Sequence, residues 1–170
     1  MRNAGITLVE IMVIVSIISI LIIAFGFSFE GWMGNYRIES QIKELYSDLM
    51  EARTRAMTRN MVHFTVLNTD SYQIYEDTNN SYGDAPDAGD QAIWTSPKTL
   101  EYEYQLKMIS AGVFPLQLTF DTRGLISNAT AAISFRIDNT LSPDFDCLII
   151  DEARIRIGKT NITGTACDEK

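Results

Sequence analysis

The sequence predicts an α+β protein in which one long N-terminal helix packs against an antiparallel β-sheet. Three observations carry this. The first 60 residues hold an apolar run that passes into a helix-spaced apolar stripe; beyond Asn60 the apolar period changes to two; and the strand-like stretches are separated by clusters of Asn, Asp, Gly and Pro.

Ile6 to Phe29 is a run of 24 residues in which Glu10 is the only charged side chain. As a helix it extends about 36 Å, enough to cross a hydrocarbon core of about 30 Å, so it is read as a membrane-spanning segment. A cleaved secretory signal has an apolar core of about 7 to 15 residues ended by small residues, and this run is longer and lacks that ending. Arg2 ahead of the run orients the N-terminus to the cytoplasm and everything past Phe29 across the membrane. Glu10 stands out, because a carboxylate at a helix centre in lipid costs about 2.5 to 3.5 kcal/mol. A cut after Gly5 would give Ile6 a free amine, and Glu10 could then neutralise such an amine on a neighbouring helix. The alternative is a carboxylate that snorkels to the interface and has no partner.

The helical pattern continues beyond the apolar run. Ile38, Ile42, Leu45, Leu49, Ala52 and Ala56 recur at alternating intervals of four and three, which puts them on one face. Glu39 with Lys43 and Glu51 with Arg55 have the favourable acid-first i,i+4 order, and Arg53, Arg55 and Arg59 suit the C-terminal dipole. Asn60 is a suitable stop, so one helix is expected from about Ile6 to Arg59.

Val62, Phe64 and Val66 alternate against His63 and Thr65, a turn follows at Asn68-Thr69-Asp70-Ser71, and Tyr72 to Glu76 returns, which predicts a hairpin. Asp77 to Asp90 is an exposed polar loop by composition. Leu100, Tyr102, Tyr104, Leu106 and Met108 alternate as one strand. Further strands are expected at Leu116 to Phe120, Ala131 to Ile137, Cys147 to Ile150 and Arg154 to Ile157, six or seven in total. The chain thus divides into a leader, 1–5; an apolar helical segment, 6–29; its amphipathic continuation, 30–60; and a sheet domain, 61–170.

The opening residues Gly5-Ile6-Thr7-Leu8-Val9-Glu10 resemble the class III signal of type IV pilins and type II secretion pseudopilins. The resemblance implies a type IV pilin-like fold, cleavage by prepilin peptidase between Gly5 and Ile6, N-methylation of Ile6, and an assembly role for Glu10. Ile6 departs from the commoner Phe, and Phe27 stands where family members usually carry a kinking Pro; Gly26, Gly31 and Gly34 could loosen the helix there instead. Leu49 to Asn60, followed directly by the Val62 strand, resembles the Ala-Arg, Ala and Arg-Asn signature of the GspH/FimT family of minor pseudopilins and minor pilins. Phe120-Asp121-Thr122-Arg123-Gly124 resembles its Phe-x-x-x-Gly. Ala153-Arg154-Ile155-Arg156 resembles its Gly-Arg-x-Arg, with Ala153 in place of Gly. The implied function is a non-enzymatic filament subunit placed at or near the tip. Its partners would be the prepilin peptidase, other pilin subunits, an inner-membrane assembly platform and membrane lipid, with no small-molecule substrate. Its location would be the bacterial inner membrane, with the sheet domain in the periplasm, and then a periplasmic or extracellular filament.

Charge and composition bound the rest. The net charge is −8, and Asn68 to Tyr104 holds eight acidic residues against Lys98 alone, which weighs against general nucleic-acid binding. Arg154 and Arg156 share a strand face with Lys159 just beyond, so a DNA-phosphate contact is the rival reading; the resemblance adds that some minor pilins of this family bind DNA. Cys147 and Cys167, in a body placed outside the cytoplasm, are expected to form a disulfide, the alternative being two unpaired thiols. A tethered periplasmic enzyme is the third reading. His63 is the only histidine and no serine motif supports a triad with it. Cys147, Cys167 and His63 lack metal-site spacing, and no cofactor motif is visible. Asp84, Asp87 and Asp90 offer oxygens to Ca²⁺ but without EF-hand spacing, so no metal is assigned.

Overall fold

The computed structural model describes residues 6–81, 86–129 and 131–170, without the side chains of 24–30. Helix α1 spans Leu8–Arg59, 52 residues. It begins on Thr7, whose extended backbone and side-chain oxygen cap the Glu10 amide, and ends on Asn60 in the left-handed region with φ 52°. The acid-first pairs Glu39–Lys43 and Glu51–Arg55 close at 3.3 and 2.7 Å on its exposed side.

Ten strands follow among the described residues: β1 His63–Leu67, β2 Ser71–Glu76, β3 Gln91–Ala92, β4 Lys98–Thr99, β5 Leu106–Met108, β6 Leu116–Phe120, β7 Ile133–Ile137, β8 Cys147–Ile150, β9 Ile155–Thr160 and β10 Cys167–Glu169. They form two antiparallel sheets rather than one. The first runs β3-β2-β1-β6 with β4 also on β2; the second runs β10-β9-β8-β7-β5. The turn between β1 and β2 ties the sheets together, since the Leu106 amide donates to the Thr69 carbonyl and the Leu100 amide to that of Asp70.

The predicted helical stripe is the floor of the core. Ile38, Ile42, Leu45, Leu49, Ala52 and Ala56 are fully buried, against Leu67, Ile74, Leu118 and Phe120 of the first sheet and Phe135, Ile137, Leu148 and Ile150 of the second. Small Ala52 and Ala56 let the sheet approach the last helical turns closely. One polar cluster interrupts the apolar contact. The Tyr72 hydroxyl donates to Asp48 Oδ2 at 2.7 Å, and Lys98 Nζ reaches the same oxygen at 2.6 Å while lying over the Trp94 ring. Burial, then the adjoining Asp48 carboxylate, pushes the Tyr72 hydroxyl well above its ordinary pKa. Burial depresses the Lys98 ammonium, but Asp48 and Glu44 outweigh it and hold its pKa above the usual lysine value.

The expected single strand from Leu100 to Met108 is replaced in part. Glu101–Glu103 is a 3₁₀ turn, with Tyr102 and Glu103 at φ 57° and 58°, and only Leu106–Met108 pairs as β5. The cause is competition for backbone amides: Gln41 Oε1 on the helix takes the Glu101 amide at 3.1 Å, and the Arg37 guanidinium stacks on the Tyr102 ring. Alternation cannot distinguish such a segment from a strand, because Leu100 and Leu106 are buried in both. The strand expected at Ala131 begins only at Ile133, and that expected at Arg154 begins at Ile155.

Gly34 has a packing reason rather than a hinge role in this chain. The helix is continuous through it, and a Cβ there would collide with the end of Leu141, whose loop crosses the helix. The same loop is fixed by the Asp144 amide donating to Glu39 Oε1 at 2.9 Å, and Phe145 lies under both Lys43 and Lys170. Phe27 and Gly26 lie outside the described side chains.

Cys147 and Cys167 are joined by a disulfide with Cα atoms 6.1 Å apart. It crosses β9 at Gly158, which pairs with Cys147 on one side and Glu169 on the other. Gly158 is needed there because a Cβ would lie 2.8 Å from Cys167 Sγ and 2.5 Å from the Asp168 carbonyl oxygen.

Candidate contact surfaces

At the N-terminal end, local chemistry explains Glu10 in a way that the sequence reading missed. Thr7-x-x-Glu10 is a capping pattern: Thr7 Oγ1 accepts from the Glu10 amide at 3.3 Å, and an acidic side chain in the first turn suits the positive end of the helix dipole. The carboxylate is exposed, as is the Ile6 that precedes the helix. Gly5 lies outside the described residues. From Leu8 to Ile23 every side chain is exposed, with Leu8 at 76%, Ile20 at 67% and Ile22 at 66%, so the apolar surface goes all round the helix. A helix apolar on all sides is normally covered by lipid or by other helices. Among the described residues, no helix is long and apolar enough to cross a membrane.

At the far end of α1, three separated sequence pieces meet. Arg53 Nη1 donates to the Ala153 carbonyl at 3.0 Å. Gly124, at φ 76°, sits directly on the same turn of helix, where a Cβ would lie 2.8 Å from Met57 Sδ and 3.1 Å from Arg53 Cγ. Asp121 organises that loop by accepting from the Arg123 and Leu125 amides. Burial raises the Asp121 carboxyl's pKa, but these amides and the Arg123 guanidinium outweigh it and hold it below the usual range. The segments around Ala52-Arg53, Gly124 and Ala153-Arg154 therefore form one junction between helix and sheets. Ala153 does not occupy the left-handed region, so this turn closes without glycine.

The three basic residues singled out for DNA are not equivalent. Arg156 is held between Asp151 and Glu169, the latter at 2.7 Å, so its charge is already matched. Arg154 is exposed and precedes β9, while Lys159 donates to Ser142 Oγ at 3.3 Å beside an open depression of about 560 Å³. A phosphate at Arg156 would have to displace two carboxylates.

His63 is fully buried on β1. Its Nδ1 lies 3.0 Å from the Met61 carbonyl, which can only accept, so the proton is on Nδ1. Nε2 has no hydrogen-bond partner and faces Glu76 at 3.9 Å, while Glu76 is bound by Arg59 at 2.7 Å. Burial pushes the imidazole below its ordinary pKa of 6.5. The unfolded chain therefore binds a proton there before the folded one does. Stability from this group is complete above about pH 6.5 and falls as pH drops toward the depressed folded value. Urea unfolding at pH 7.5 and 5.5 is expected to show this loss in the wild type and a smaller one in His63→Gln.

Among the described residues, no three His, Cys, Asp or Glu side chains gather as a metal centre. Of the loop expected to be exposed, Asp87 is exposed, but Asp90 is half-buried and Asp77 is buried, its Oδ1 accepting from the Ser81 amide; Asp84 lies outside the described residues. Compared with models of known families, with curated proteins and with solved structures, the chain matches none.

Proposed function

We propose that this protein is a minor pilin or minor pseudopilin, a structural subunit processed by prepilin peptidase and assembled into a type IV pilus or type II secretion pseudopilus. The observation that carries the reading is the division of α1. The described side chains from Leu8 to Ile23 are exposed and, Glu10 and two serines aside, apolar, whereas the stripe from Ile38 to Ala56 is buried by the sheets. One helix with two solvents suits a subunit that waits in lipid and then packs among sister helices. The sequence Ile6 to Phe29 supplies the length for the membrane stage. Glu10 lies in the first helical turn, and after a cut between Gly5 and Ile6 it would pair with the terminal amine of an adjacent subunit. The β-sheet domain then lies in the periplasm and offers the contacts to other minor subunits, at or near the filament tip.

Mass spectrometry of the native protein tests the assignment. The expected mature chain begins at Ile6 and carries one added N-methyl group. An intact Met1 in cells with active prepilin peptidase overturns the reading.

A further inference from the structure

Past residue 30, and leaving Met57 and Val113 aside, every large apolar side chain exposed among the described residues is found at one end of the sheet domain: Trp32, Tyr36, Tyr102, Leu141 and Ile162. Contacts fix them there. The Trp32 and Tyr36 rings stack with centroids 6.3 Å apart on α1, and the Arg37 guanidinium lies 4.4 Å from the Tyr102 centroid. Leu141 sits over Gly34, and Ile162, fully exposed between β9 and β10, borders the same depression of about 390 Å³ as Leu141, with Lys159 beside it.

These side chains do not share one face of the helix. At about 100° per residue, Tyr36 follows Trp32 by about 40°, Arg37 under Tyr102 by about 140°, and Gly34 under Leu141 by about 200°. The exposed groups therefore encircle α1. A protein partner docks on a patch, whereas a plane that the helix crosses meets it on all sides.

Height along the helix identifies the plane, and here the inference rests on the reading of Ile6 to Phe29 as the membrane segment. At about 1.5 Å per residue, Trp32 stands about 4.5 Å and Tyr36 about 10 Å beyond Phe29, and the headgroup layer outside the hydrocarbon is about 5 to 8 Å thick on each side. The ring falls at that layer. Composition agrees, because Trp and Tyr have apolar bodies with one polar tip and collect at headgroup depth, while Arg and Lys reach outward with their charge. Tyr102 is exposed on a left-handed backbone, φ 57°, which costs free energy for a residue other than glycine; strain of this kind collects at contact sites. Exposed Glu101 and Glu103 flank it and keep it at the headgroups, since carboxylates are costly in hydrocarbon.

We propose that Trp32, Tyr36, Tyr102, Leu141 and Ile162 form an interfacial ring that seats the sheet domain on the headgroup layer of the membrane before assembly. The ligand is the phospholipid surface, met by the apolar bodies of the ring and by Arg37 and Lys159 at its phosphates. The seat sets the depth of α1 and holds the domain close to the bilayer.

The test uses the full-length protein in vesicles of phosphatidylcholine and phosphatidylglycerol. An environment-sensitive fluorophore is attached in Tyr102→Cys, Ile162→Cys or Thr122→Cys, the native cysteines remaining in their disulfide. Thr122 is exposed next to the Arg123-Gly124 turn at the far end of α1 and serves as the reference; Trp32 is not used, because any anchored helix brings it to the membrane. Phosphatidylcholine with a nitroxide on its headgroup quenches what lies at that depth. Labels at 102 and 162 are expected to lose several-fold more fluorescence than the label at 122. Equal quenching at all three positions, in protein that resists alkaline carbonate extraction, overturns the ring while the anchor stands, and leaves these side chains to a neighbouring subunit. Quenching at only one of 102 and 162 overturns it too, since a domain leaning on one side has no encircling contact. Release of the protein by carbonate overturns the membrane reading and the ring with it.

Discussion

Leu49→Ala is expected to destabilise the protein by about 2 to 5 kcal/mol. Leu49 is fully buried in the helical stripe that carries both sheets. Truncation removes its transfer energy and leaves a cavity that the helix cannot close, because Leu45 and Ala52 are held one turn either way by the same contacts. Thermal unfolding followed by far-UV circular dichroism should show a lower midpoint. Met57→Ala, at a side chain 44% exposed at the helix end, should cost much less. Equal losses from the two would mean that the stripe does not bear the core.

Replacing both cysteines by serine is expected to cost about 3 kcal/mol, the loop-closure entropy for two residues 20 apart in sequence. The physical effect is concentrated on β10. That strand is only three residues long, Cys167–Glu169, and its other attachments include its ladder to β9, the Arg156–Glu169 ion pair at 2.7 Å and, one residue beyond, the Lys170–Asp144 pair at 2.7 Å. Unfolding with and without a reductant measures the loss in the wild type, and the double variant should be insensitive to the reductant. Hydrogen exchange should then quicken first at residues 167–169, with Ile38 to Leu49 unchanged. Uniform quickening along the helix would contradict this localisation.

The candidate site was legible unevenly. Gly5, Ile6 and Glu10 stand out by charge and motif, and the Thr7 cap is legible too, because Thr7-x-x-Glu10 is a capping pattern. Arg154 and Arg156 looked alike by strand parity. Only the fold places Asp151 and Glu169 on Arg156, because β9 and β10 become neighbours through a long-range pairing that has no local signal.

Periodicity and end signals in the sequence alone determined the helix to within about a turn, its buried stripe, its stop at Asn60 and the β1–β2 hairpin. These depend on local spacing, and apolar residues at intervals of three and four have only one way to share a face. The tertiary structure decided the division into two sheets and the 3₁₀ turn at Glu101–Glu103. It also decided the junction of Arg53, Gly124 and Ala153, and the covering of Gly34 by Leu141. Each of these turns on which distant group reaches an amide, a carbonyl or an open Cα first, and that competition is settled only when the chain has closed on itself.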